Sequence, residues 1–134
     1  MSTITTPQPP LNLFAVRRLT LTDAWADVLE TPTYTIPATA VEPERVEQIA
    51  DQLLHALICN TGSAEVTVDI RVESGGSIYE IAKAVALAPG APVAVDVRKA
   101  IVQSGEILQA RLSAGEADLS LSYIRNAQES YETA

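Results

Sequence analysis

The chain has 134 residues and a mass of 14.3 kDa, which sets one domain as the expectation. Hydrophobic residues make up 47% and charged residues 19%, so a buried core is within reach and wholesale disorder is excluded. The 9 Lys and Arg against 17 Asp and Glu give a formal net charge of -8, which repels phosphates and argues against a nucleic-acid partner.

Residues 1–13 are polar and carry Pro7, Pro9 and Pro10, which predicts an extended arm. They lack the basic start and apolar segment of a secretory signal. Leu11, Leu13 and Phe14 follow as apolar side chains that could dock on a neighbour. Two short strands are expected at residues 16–21 and 25–29, around Thr22-Asp23, and a third at 33–36, ended by Pro37. The pattern then changes. Val46, Ile49, Ala50, Leu53 and Leu54 follow the i, i+3, i+4, i+7, i+8 spacing of one helical face. Pro43 suits a first helical turn, and Glu42, Glu44 and Glu47 suit the positive end of a helix dipole. A short helix over residues 43–54 is the reading, handing over to a strand at 54–60.

Thr61-Gly62 is a turn signal. Val66, Val68, Ile70 and Val72 then alternate with Glu65, Thr67, Asp69, Arg71 and Glu73, the pattern of a strand with one wet face. Gly75-Gly76 ends it, and residues 78–87 form the next strand. Pro89-Gly90 is a strong turn. Val93, Val95 and Val97 alternate with polar or small residues, and Ile101 and Val102 follow. Strands at 107–112 and 117–124 close the set, separated by Ala114-Gly115. Ala117, Leu119, Leu121 and Tyr123 form the apolar face of the last strand.

Short strands between Gly and Pro turns predict an all-β fold: an antiparallel β-sandwich, jelly-roll or Ig-like, with one short helix inserted near residues 43–53 and extended terminal arms. The layout is an N-terminal arm at 1–15, a sandwich domain at 16–124 and a polar tail at 125–134. No apolar run reaches the ~18–20 residues of a membrane-crossing helix, so no membrane partner is expected.

The chemistry-bearing residues are few. One Cys (Cys59) and one His (His55) give no internal disulfide and too few ligands for a zinc site. They lie four apart on one strand face, where Cys59 reads as a small buried hydrophobe and His55 as a half-buried strand residue. His55 has no G-x-S-x-G elbow to join it in a triad. Gly75-Gly76-Ser77 lacks the spacing and lysine of a phosphate loop. Glu116 and Asp118 alternate with Ala117 and Leu119, as on a solvated strand face, and fall short of a calcium shell. Aromatics are only 4%: Phe14, Trp25, Tyr34, Tyr79, Tyr123 and Tyr131. Trp25 reads as the anchor of a core edge, with Tyr34 placed to flank it. The residues therefore assign no catalytic, cofactor-binding or metal-ligating position and no cofactor.

Several short stretches, in order, carry a resemblance. Trp25-Ala26-Asp27-Val28-Leu29 and Tyr34-Thr35-Ile36-Pro37-Ala38 match a W-x-x-V-(Y/L)…Y-x-(V/I)-P-A opening. Asn60-Thr61 fills the place of an Asn-Thr turn, and Leu87-Ala88-Pro89-Gly90 that of an L-A-P-G strand end. Residues 104–110 and 114–122 match two further strand motifs that begin at Ser104-Gly105-Glu106 and Ala114-Gly115-Glu116. Across residues 19–124 the chain resembles small β-sandwich virion proteins of tailed bacteriophages. It departs from them at residues 39–52, where they have only a short turn. The resemblance implies a non-enzymatic structural protein of the neck, tail or head surface. Its place would be the virion, assembled in the host cytoplasm, and its partners copies of itself and other virion proteins. The alternative is a carbohydrate-binding, host-attachment module, which requires Trp25 or Tyr79 to be exposed.

Overall fold

The computed structural model describes residues 3–5, 12–97 and 100–127. Among these residues every regular element is a strand: β1 (Thr3–Thr5), β2 (Leu13–Leu21), β3 (Ala26–Glu30), β4 (Thr33–Ile36), β5 (Arg45–Glu47), β6 (Ile49–Asn60), β7 (Val66–Ser74), β8 (Ser77–Leu87), β9 (Pro92–Val95), β10 (Ile101–Gln103), β11 (Ile107–Leu112) and β12 (Ala117–Ala127). One sheet has the order β2-β12-β6-β10, with β9 also pairing β6. A second has the order β3-β11-β7-β8. Both are antiparallel throughout. A small third sheet joins β1 and β5 to the two edges of β4, and its β1–β4 pair is parallel.

The two main sheets pack face to face in a sandwich-like arrangement. Their inward rows are the alternating residues legible in the sequence: Val66, Val68, Ile70 and Val72 from β7, Leu108, Ala110 and Leu112 from β11, and Ala117, Leu119, Leu121 and Tyr123 from β12. Leu21, Leu53, Ala56 and Ile58 complete the opposing layer. Period-two patterning buries one row and wets the other, so each strand commits its apolar set to the same core. Strand β2 contacts β3, β6 contacts β8, and β9 contacts β8. The chain thus places strands of the two sheets opposite one another across the core: β2 over β3 and β11, and β6 and β9 over β8.

The turn after β6 is held by a buried asparagine. Asn60 Nδ2 donates to the carbonyls of Ala64 (2.8 Å) and Leu87 (3.0 Å), and its Oδ1 accepts from Gly62 N at 2.9 Å. This amide makes the Asn-Thr turn a tie between β6, β7 and the end of β8.

The expected helix over residues 43–54 is absent, and the chain there forms β5 and β6. The reason is a buried charge. Residues Ile49, Asp51 and Leu53 are all 0% exposed and share the inward face. Beyond a register shift opposite Ser122/Tyr123 the inward set becomes Ala56, Ile58 and Asn60. The carboxylate at Asp51 breaks the inward apolar alternation, and the inward Ile49 and Leu53 together with the half-buried Ala50 and Leu54 then fall at helical spacing. Pairing with β12 along the full length of β6 overrides that local pattern. Two of the three glutamates expected at a helix start instead pair with Arg45, Glu42 at 3.6 Å and Glu47 at 3.0 Å.

Other boundaries also move. Strand β2 begins at Leu13, inside the expected arm, and β12 continues to Ala127, inside the expected tail. Within the arm, Thr3–Thr5 lies along β4. The remainder of the expected tail, residues 128–134, lies outside the described residues, as do 1–2 and 6–11 of the arm.

Asp51 is fully satisfied. Its Oδ1 accepts from Arg125 Nε at 2.7 Å, and its Oδ2 from Arg125 Nη2 at 2.8 Å and Thr31 Oγ1 at 2.7 Å. Removing one member of such a pair strands the other charge in the core. We expect Asp51→Ala to lose about 3–5 kcal/mol. An Asp51→Leu/Arg125→Met double variant, which removes both charges, should recover most of that loss. Urea unfolding of the two variants checks both expectations.

Candidate functional site

The outward faces of the two main sheets differ in chemistry. On the β3-β11-β7-β8 sheet the outward side chains form a polar lattice. Arg71 Nε donates to Gln109 Oε1 (2.9 Å), and Gln109 Nε2 donates to Asp27 Oδ1 (2.9 Å). Arg111 pairs with Asp69 at 3.4 Å. Asp69 also accepts the Ala84 backbone N–H at 2.8 Å, which holds Ala84 in the left-handed region at φ 54°. Trp25 sits in this lattice, with the guanidinium carbons of Arg71 and Arg111 at 3.7 and 4.5 Å from its ring centre. It is therefore half-buried on the outside of a sheet, beneath two cations, and not the core anchor expected from the sequence. Tyr34 does not flank it. That ring is buried in β4, near enough to Tyr123 and Arg125 to act on them electrostatically.

On the other sheet the outward face is apolar with interspersed hydroxyls. Phe14 (59% exposed), Val16 (43%) and Leu57 (38%) stand out of it. A shallow depression of about 430 Å³ runs between Arg18, Thr20, Leu57, Cys59, Asp118 and Ser120. Thr20 Oγ1 donates to Asp118 Oδ1 at 3.0 Å across its floor. Low charge and exposed large hydrophobes mark this face, together with the β2 edge beside it, as the candidate contact surface.

The residues singled out in the sequence are dispersed. His55 and Cys59 do share this outward face, but His55 is exposed and Cys59 half-buried. The hydroxyl of Ser122 lies 3.5 Å from the His55 backbone carbonyl, with which it makes its hydrogen bond. Among the described residues no three His, Cys, Asp or Glu side chains converge where they could hold a metal ion. Gly75-Gly76 forms the β7–β8 turn, with Gly76 N donating to Glu73 Oε1 at 3.0 Å. Tyr79 is 60% exposed on β8. It borders a depression of about 310 Å³ with Val72, Ile81, Ala100, Ile101, Gln103 and Glu106.

The charged cluster at Asp51 is sealed in place of being a site. Arg125 is held above the usual guanidinium range, first by its hydrogen bond with Asp51, against the cost of burial. Burial raises the Tyr123 phenol above its ordinary value, opposed by the Arg125 charge. Among the described residues no buried side-chain N or O atom lacks a partner.

No protein-family model matches the chain, and no curated protein was found similar to it.

Two measurements follow from this geometry. A raised phenol in the folded state favours the neutral form. Its stabilisation is complete below the unfolded value near 10 and is lost as pH rises above it. Thermal unfolding should therefore weaken above pH 10, and less so in Tyr123→Phe. Trp25 is the sole tryptophan, so its emission reports the cation lattice directly. Arg71→Ala should shift that emission to the red and cost about 0.5–1 kcal/mol.

Proposed function

We propose that this is a non-enzymatic structural protein of a tailed-phage virion. It assembles as a homo-oligomer at the neck, tail or head surface, through its sheet edges and arms. One observation carries the reading: the strand orders β2-β12-β6-β9/β10 and β3-β11-β7-β8. A chain that rolls up so that strands near in sequence face each other across a five-stranded and a four-stranded layer resembles the jelly-roll arrangement. That architecture is shared by viral capsid and lectin domains. Fold analogy alone does not assign function. The ordered motifs that resemble phage virion proteins supply the choice between those classes. The Asn60 turn and the β11 and β12 strands lie at those motifs. The contrast between the polar and the apolar outward face adds a surface suited to subunit contacts.

The second reading, a carbohydrate-binding host-attachment module, is favoured by Tyr79, which is exposed beside a depression. Trp25 does not add to it, because Arg71 stacks over that ring at 3.7 Å. A sugar platform needs a free aromatic face.

The charge gives the test its direction. Copies of net charge -8 repel over a screening length of ~8 Å at physiological salt. Contacts between them are therefore expected to be apolar and strand-paired, and to strengthen as salt rises. Light scattering at low and high salt should show a discrete closed oligomer that is favoured at high salt. Dissociation by salt would point to ion-paired contacts. A monomer at both salts, with binding on a glycan array that Tyr79→Ala abolishes, would replace the assembly reading with the carbohydrate one.

A further inference from the structure

The edges of the sheets are not equally protected. Unpaired strand edges recruit other strands, and proteins normally blunt them by shortness, proline, charge or bulges. Strands β9 and β10 have four and three residues, and β9 begins at Pro92. Strand β3 has five residues, carries Asp27 and Glu30, and pairs through a register shift. Strand β8 is long, but two register shifts, the left-handed Ala84, Glu80 and Lys83 interrupt it. Strand β2 is not short and has neither proline nor a bulge, and its only device is the charge of Arg17 and Arg18. It runs nine residues in unbroken register with β12, without proline or an acid, and exposes Leu13, Phe14 and Val16. Among the described residues no strand pairs its other side.

We infer that β2 pairs antiparallel with β2 of a second copy, about a two-fold axis at Val16, joining the two β2-β12-β6 sheets into one. This rests on the self-assembly reading above and names its contact. A two-fold pair requires facing residues to lie on the same side of the sheet, so the register is set by which residue faces itself. Arg17 facing Arg17 would oppose two like charges. Ala15 facing itself would shorten the pair, because Asn12, at φ 55°, ends the strand. Val16 facing Val16 is the longest register free of that clash. It sets Phe14 opposite Arg18, a cation over an aromatic ring, and Leu13 opposite Leu19. Arg17 does not obstruct the approach, since its Nε donates across the sandwich to the Val28 carbonyl at 3.0 Å.

The side chains of the strand favour a second copy as the occupant. In the Val16 register each Phe14 meets Arg18 of the other copy and each Leu13 meets Leu19, so the strand is its own complement about the two-fold axis. Strand β2 brings no acid to this contact between copies of net charge -8.

The test uses the full chain with Cys59→Ser as background. Val16→Cys should oxidise readily to a covalent dimer. Thr20→Cys should not, because its copies would lie eight residues apart along the strands, ~27 Å. Val16→Lys, at an exposed position, should weaken dimerisation by at least about 10-fold in light scattering while circular dichroism stays unchanged. An oligomer that persists in Val16→Lys, with no Val16→Cys cross-link or with equal cross-linking at Thr20→Cys, overturns the edge pairing and leaves assembly standing. A parent chain that is monomeric at every concentration overturns both.

Discussion

The rest of the structure depends on one buried carboxylate. Asp51 lies at the core end of β6 with no solvent contact, and its two oxygens are taken by Arg125 on β12 and Thr31 in the β3–β4 link. Thr31 also lies 3.2 Å from the Val102 carbonyl of β10. Four segments that are remote in sequence therefore meet at one charge. An ionised group in a core is costly unless every lone pair is met. That constraint leaves little freedom in how β6, β10 and β12 are registered at this end. Ser104 repeats the logic beside it: its hydroxyl accepts from Ile49 N at 2.6 Å and donates to the Pro32 carbonyl at 2.7 Å.

The opposite end is held by Asn60, which satisfies the turn with neutral hydrogen bonds. Between the two polar ties the interior is aliphatic. This division has a functional consequence. A core pinned at both ends holds its strands in fixed register, so the outward rows are fixed as well. One outward face becomes a lattice of arginine, glutamine and aspartate around Trp25. The other keeps its hydrophobes. A small acidic chain then has one low-charge surface on which copies can approach without strong repulsion. An interface built there draws on apolar and backbone contacts, which screening by salt does not weaken.

The sequence was most legible where one face of a strand is uniformly apolar. Strands β4, β7, β11 and the apolar row of β12 follow directly from alternation and from the turns that bound them. It misled where a polar residue occupies an inward position. The inward place of Asp51 was illegible, because its partner, Arg125, is distant in the chain and stood in the expected polar tail. The Trp25 lattice was illegible for a related reason. Arg71, Gln109 and Arg111 come from two strands and Trp25 precedes a third, and no spacing in the sequence announces that they meet. The candidate contact surface was half legible. Leu13 and Phe14 stood out as apolar side chains near the start, but their place on an edge strand did not.

By itself, then, the sequence determined the fold class, the turns and most of the inward rows, because alternation and turn chemistry act over a few residues. It also bounded the chemistry, since one histidine, one cysteine and strong net acidity restrict what side chains can do. The tertiary structure alone decided strand order, the conversion of the expected helix into β6, the burial of Asp51 against Arg125, and which edge is left unprotected. Those features arise from pairings between residues far apart in the chain. Their energies depend on burial and on partners, which neither local propensity nor periodicity encodes.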